Sequence, residues 1–154
     1  MRIRRRLSVT AILLLLATSA AAEAAAQNRP TLYARMGGYD RIAAVIDDFL
    51  GRFDADPALA PFLGGINAVE GARIRQHFVD FLCHRTGGPC LYNGRDMKIT
   101  HEGLPITEAH FAAVTRHFDA ALEKQGVPAP ERREVMTMLQ SLREMIVQRP
   151  ASSP

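Results

Sequence analysis

Three glycine pairs, Gly37-Gly38, Gly64-Gly65 and Gly87-Gly88, cut this chain into segments that cannot run together as one long helix. Each glycine costs a helix interior about 1 kcal/mol relative to alanine, and a pair beside turn residues stops it. Between the cuts, apolar residues recur at three- and four-residue steps, the period of one helix face. Ile42, Val45, Ile46, Phe49, Leu50 and Phe53 do so over residues 40–55, closed by Asp56-Pro57. Ile74, Phe78, Phe81 and Leu82 do so over residues 68–85. Thr107 with Glu108 marks another start, an N-cap followed by a first-turn acid. That helix carries Phe111, Val114, Phe118, Ala121 and Leu122 to Gly126. A last stripe, Val135, Met138, Leu139, Leu142, Met145 and Ile146, begins near Pro130 and predicts one continuous helix. Residues 31–36 predict a very short helix capped by Thr31, and a turn holds Leu59, Phe62 and Leu63. There is no Trp and little β-branched alternation, so the expected fold is all-α, two helical hairpins packed as one domain. The four stripes offer more apolar surface than a bundle of this length needs, which points to an apolar cofactor between the helices.

Residues 1–26 read as an export leader. Arg2, Arg4, Arg5 and Arg6 precede an apolar run from Leu7 to Ala17 and a small-residue tail from Ala20 to Ala26. The run is shorter than the ~20 residues of a membrane span, so cleavage after Ala22 or Ala26 is expected, leaving no anchor. The domain then covers residues 27–149, with a frayed tail at 150–154. Four of the 19 Lys+Arg and one of the 16 Asp+Glu fall in the leader, leaving 15 of each. The high pI therefore belongs to the leader, and no basic face for nucleic acid remains. A periplasmic location is the expectation. In such a compartment Cys83 and Cys90 are expected to pair, across a loop containing Gly87, Gly88 and Pro89, which would stabilise by roughly 2–3 kcal/mol; two free thiols are the other reading.

Five histidines, His77, His84, His101, His110 and His117, lie in the middle of the chain. The seven-residue spacing of His110 and His117 is not that of a helical chelate, and no convergent set for zinc is present. His101 sits between Gly94 and the breakers Gly103 and Pro105, on a segment with room for at most about two helical turns. Such a pinned, loop-like segment can present one imidazole nitrogen to a metal, or the ring can simply donate to a nearby carbonyl. His77 lies on the edge of the Ile74–Phe78–Phe81 stripe, where it either reaches out to solvent or points inward as a ligand.

Several strings narrow these choices. They are Leu-Tyr-Ala-Arg-Met-Gly-Gly at 32–38, Val-Ile-Asp-Asp-Phe at 45–49 and Ala-Asp-Pro-Ala-Leu-Ala-Pro-Phe at 55–62. Gly-Gly-Pro at 87–89, Tyr-Asn-Gly-Arg-Asp-Met at 92–97, His101 and Gly-x-x-Ile-Thr-x-x-His-Phe at 103–111 follow in order. Over residues 32–147 the chain resembles the group I (N-type) truncated haemoglobins. The resemblance implies a two-over-two helical sandwich around non-covalent haem b, with iron held by His101 as proximal ligand. It implies a haem-facing wall of Phe49, Leu50, Phe53, Phe62, Leu63, Ile74, Phe78, Phe81, Met97 and Phe118, with Tyr92 and Lys98 at the propionate edge. It also implies a diatomic gas (oxygen, nitric oxide or carbon monoxide) as partner, a reductant if nitric-oxide oxidation or a peroxidase-like reaction is catalysed, and a monomer or weak dimer.

Two departures bear on that role. Leu50 stands where many members have a tyrosine, and Phe78 where many have a glutamine, so both usual donors to a bound gas are missing. Leu63 replaces the second phenylalanine of the Ala-Pro string. His77 then remains as the polar group of the distal helix, and in some members a histidine there is the sixth iron ligand. The expectation is reversible gas binding; the alternative is a bis-histidyl electron-transfer or redox-sensing protein using His101 and His77. A haem-free helical interaction module is a third reading.

Overall fold

A computed structural model describes residues 29–148; the leader at 1–26 and the tail at 150–154 lie outside the described residues. Helix α1 (Leu32–Met36) starts where the Thr31 hydroxyl accepts from the Ala34 amide at 3.2 Å, and stops at Gly37. Gly37 adopts φ +101°, a left-handed conformation that favours glycine. Helix α2 (Gly38–Ala55) follows at once and buries Ile42, Val45, Ile46, Phe49 and Phe53 on one face. A 3₁₀ turn (Ala60–Phe62) leads to helix α3 (Ala68–Arg85), whose Asn67 cap accepts from the Glu70 amide at 3.0 Å. Helix α4 (Met97–His101) is a single short turn capped by Asp96, so the segment read as loop-like is in fact helical where the histidine sits. Helix α5 (Glu108–Lys124) opens on a reciprocal cap: the Thr107 hydroxyl accepts from the His110 amide, and the Thr107 amide donates to His110 Nδ1.

The sequence predicts one last helix, but two are present, α6 (Ala129–Gln140) and α7 (Arg143–Ile146). The break falls at Ser141, whose hydroxyl turns back to the Met138 carbonyl at 2.6 Å and competes with helix continuation. Leu142 still goes into the core, and α7 swings against α4, the helix that carries His101. The Gln148 amide then bonds the Ile106 carbonyl at 2.9 Å and ties down the end of this arm.

Packing pairs α2 with α3 and α5 with α6, and α2 also crosses α5, so two helical pairs face each other. At the crossing Phe49, 1% exposed, sits 5.0 Å from Phe118, 5.8 Å from Phe78 and 5.9 Å from Phe53 between ring centroids. Ion pairs brace the outside of these contacts. Asp48 on α2 accepts from Lys124 of α5 at 2.5 Å and from Arg52 at 2.6 Å, and Asp47 accepts from Arg75 of α3. Lys124 first, then Arg52, hold the Asp48 carboxyl below its ordinary value of 3.8. A depressed folded-state value means this contribution is complete above about pH 4 and is lost as pH falls through the folded value. Asp48→Asn should lower the melting temperature at pH 6 by roughly 2–5 °C, with the gap to wild type closing below pH 3. A gap unchanged with pH in thermal melts would show that the charge is not what matters.

Candidate haem cleft

The sequence assigns α3 a single buried stripe, and the structure divides it. Val79, Leu82 and Cys83 are the residues fully buried against the core. Ile74, Phe78 and Phe81, four and three residues apart, are only half-buried and form a second apolar face beside the first. His77 shares that second face and is also half-buried. From α2, Leu50 is half-buried, and so are Phe62 and Leu63 at the 3₁₀ turn, all packed against the rim of the core. Phe49, Phe53 and Phe118 lie deeper, as helix–helix core. On α4, Met97 and His101 (i, i+4) are half-buried, whereas Lys98 is exposed.

His101 is held by its own helix: Nδ1 lies 2.7 Å from the Met97 carbonyl oxygen. A carbonyl can only accept, so Nδ1 carries a proton, and in the neutral ring the lone pair is on Nε2. Nε2 has no hydrogen-bond partner among the described residues. That arrangement is the one a histidine needs to bind a metal, because the tautomer and ring plane are set beforehand. The bond to Met97 alone would also suit a histidine that merely satisfies a carbonyl; the free Nε2 is what the ligand reading uses. His77 likewise has no hydrogen-bond partner among the described residues, and its ring meets Tyr92 edge to face at 6.3 Å.

Tyr92 is the hub of the segment between α3 and α4. Its ring packs edge to face on Phe81 at 5.2 Å, and its hydroxyl donates to the Arg95 carbonyl at 2.9 Å. Burial, aided by the nearby Asp96 charge, pushes the phenol pKa up, which keeps it a neutral donor. The expected bridge between Cys83 and Cys90 is present, with Cα atoms 5.8 Å apart.

Two histidines set aside as ligands have another task. His117 Nε2 lies 2.8 Å from Asp56 Oδ2, and the His110 ring packs edge to face on Phe62 at 5.0 Å. Both grip the stretch joining α2 to α3, which carries Phe62 and Leu63. The seven-residue spacing that excludes a chelate puts both rings on one face of α5, the face that meets this stretch.

A helix-borne imidazole bonded through Nδ1 to its own helix, in a chain that also leaves Leu50, Phe62, Ile74, Phe78 and Phe81 only half-buried, suits a flat apolar macrocycle with a metal at its centre. The comparisons with known proteins agree. Residues 31–148 match the family model of the bacterial-like globins. A group 1 truncated hemoglobin of Nostoc sp. (strain MUN 8820) is 33% identical over 117 residues, covering 76% of this chain and 97% of that protein. One from Mycolicibacterium paratuberculosis is 35% identical over 106 residues, covering 69% and 76%. The crystal structure of the 2/2 hemoglobin from Synechococcus sp. PCC 7002, in the cyanomet state with covalently attached heme, superposes with a TM-score of 0.70. Its identity is 25%, over 78% of this chain and all of that one. The chain therefore belongs to the bacterial-like globins, among the group 1 truncated haemoglobins, all-α proteins of the 2/2 type. Membership carries haem b as cofactor and haem-based gas binding as the general activity.

Proposed function

We propose that this protein binds a diatomic gas reversibly at haem held by His101 as the proximal ligand. The observation that carries this is the second, half-buried apolar face of α3, in a chain whose α4 offers an imidazole with Nε2 uncommitted. When bound, haem would supply an iron centre able to take His101 and a diatomic gas as ligands. The chain's part is to fix His101, to exclude water with Phe62, Phe78 and Phe81, and to decide which polar groups approach the gas. Leu50 and Phe78 carry no donor, so a polarised gas gains no hydrogen bond from them. Release of oxygen should then be fast, and the less polar carbon monoxide relatively favoured. Tyr92 and Lys98 are assigned to the propionate edge. Nitric-oxide turnover would further require a reductant. The arginine-led leader and the Cys83–Cys90 bridge support a site of action outside the cytoplasm.

A second reading has its own support in His77, half-buried on the cleft-side face of α3 and without a hydrogen-bond partner among the described residues. Such a group would be available to a bound iron as a second histidine ligand, in competition with gas. Ferrous absorption spectra of haem-loaded wild type and His77→Ala separate the two. Gas carriage predicts a five-coordinate spectrum in both, with similar carbon monoxide on-rates. Bis-histidyl ligation predicts a six-coordinate wild type, a five-coordinate variant and at least roughly tenfold faster carbon monoxide binding after the substitution.

A further inference from the structure

Between the distal helix α3 and the proximal helix α4 runs an irregular segment, residues 86–96, with little backbone bonding of its own. Its first turn is fastened by the Gly88 amide to the Cys83 carbonyl at 2.8 Å and by the Thr86 hydroxyl to the Leu82 carbonyl at 2.7 Å. Gly88 passes so close that a Cβ there would lie 2.5 Å from the Tyr33 ring and 2.7 Å from Cys83 Sγ. Beyond it, the segment touches α3 at three places. Cys90 is bonded to Cys83, the Cys90 carbonyl lies 3.3 Å from His84 Nδ1, and the Tyr92 ring leans on Phe81 and His77. Tyr92 then hands the chain to Arg95, next to Asp96, the cap of α4. Helix α4 itself packs chiefly on α7, not on α3. Apart from the backbone itself, the covalent link between the distal wall and the proximal histidine is thus one bond, Cys83–Cys90.

We infer, building on the haem reading above, that the Cys83–Cys90 bridge is a positioning element: by docking Cys90 and Tyr92 on α3, it sets the spacing between the distal face and His101 and keeps the His77 ring on its Tyr92 partner. Without the bridge, residues 90–96 are held to α3 only by one long hydrogen bond and ring contacts. The proximal helix and His77 then both gain freedom. Cys83 is fully buried and Cys90 half-buried, so the bond is shielded and serves as a fixed brace of the oxidised protein.

The test compares three forms of the full chain after haemin loading. One is the bridged wild type. The second is wild type opened with a dithiol that is removed before loading; its two thiols become a disulfide as two electrons and two protons convert the bridge to two protein thiols. The third is Cys83→Val/Cys90→Ser, with valine filling the buried site. The expected result is unchanged helical content by circular dichroism, haemin transfer to an excess acceptor globin at least tenfold faster in both bridge-free forms, and a ferric spectrum that becomes a mixture of coordination states. A purely stabilising bridge would lower the melting temperature and leave transfer rate and spectrum unmoved, and that result overturns the inference. So does loss of helical content in both bridge-free forms, which would make the bridge a folding requirement. Bridged protein that takes up no haemin would instead overturn the haem reading, and this inference with it.

Discussion

Phe49→Ala should destabilise the protein by about 3–5 kcal/mol, a large share of what a domain of this size has to lose. The ring is 1% exposed and lies at the crossing of α2 and α5, within 6 Å of three other aromatic centroids. Those neighbours come from three helices: Phe53 from α2, Phe78 from α3 and Phe118 from α5. Phe53 and Phe118 are themselves buried, so the surrounding wall cannot collapse into the space without moving helices. The loss therefore combines the transfer of the ring with a cavity, and urea unfolding followed by circular dichroism should show it as a lower midpoint at a similar slope. Phe49→Leu keeps most of the volume and should cost less than half as much. Equal losses for the two would mean that ring contacts, and not volume, dominate this crossing.

His101→Gly should act in the opposite way, sparing the fold and removing the function. The ring is half-buried, its hydrogen bond among the described residues is to its own helix, and α4 packs on α7. Little change is expected in the apoprotein's melting temperature. Haem retention, however, should fall by at least about 100-fold, because removing even the groups that orient a metal ligand commonly costs 10–100-fold. Added imidazole should restore a wild-type-like ferrous spectrum by filling the space left by the side chain. If the variant keeps haem as firmly as wild type and ignores imidazole, another group holds the iron.

Much of this was legible in the chain because local chemistry and global packing agree. Thr31, Asp56-Pro57, Thr107 and Gly126 punctuate the helices where they are expected, and the α2 stripe is the buried face of α2. Two features were hidden for distinct reasons. Ser141 splits the last helix through a side-chain bond to Met138, a choice that apolar periodicity, which runs on unbroken to Ile146, does not register. On α3 periodicity marks apolar positions without saying which of two neighbours each will meet. It therefore merged the core residue Leu82 with the half-buried Ile74, Phe78 and Phe81, and left out Val79 and Cys83. His101 was singled out by the breakers around it, yet its Nδ1 bond needs a carbonyl four residues back, placed there only once α4 forms. The tasks of His110 and His117 depend on long-range contacts to Phe62 and Asp56, and spacing alone named the face but not its partner.

The most direct measurement is a crystal structure of the haem-loaded protein. The account predicts iron bonded to Nε2 of His101, Nδ1 still on the Met97 carbonyl, and the porphyrin lying against Ile74, Phe78 and Phe81. Haem held through a different proximal residue, or His101 turned away from the macrocycle, would contradict it.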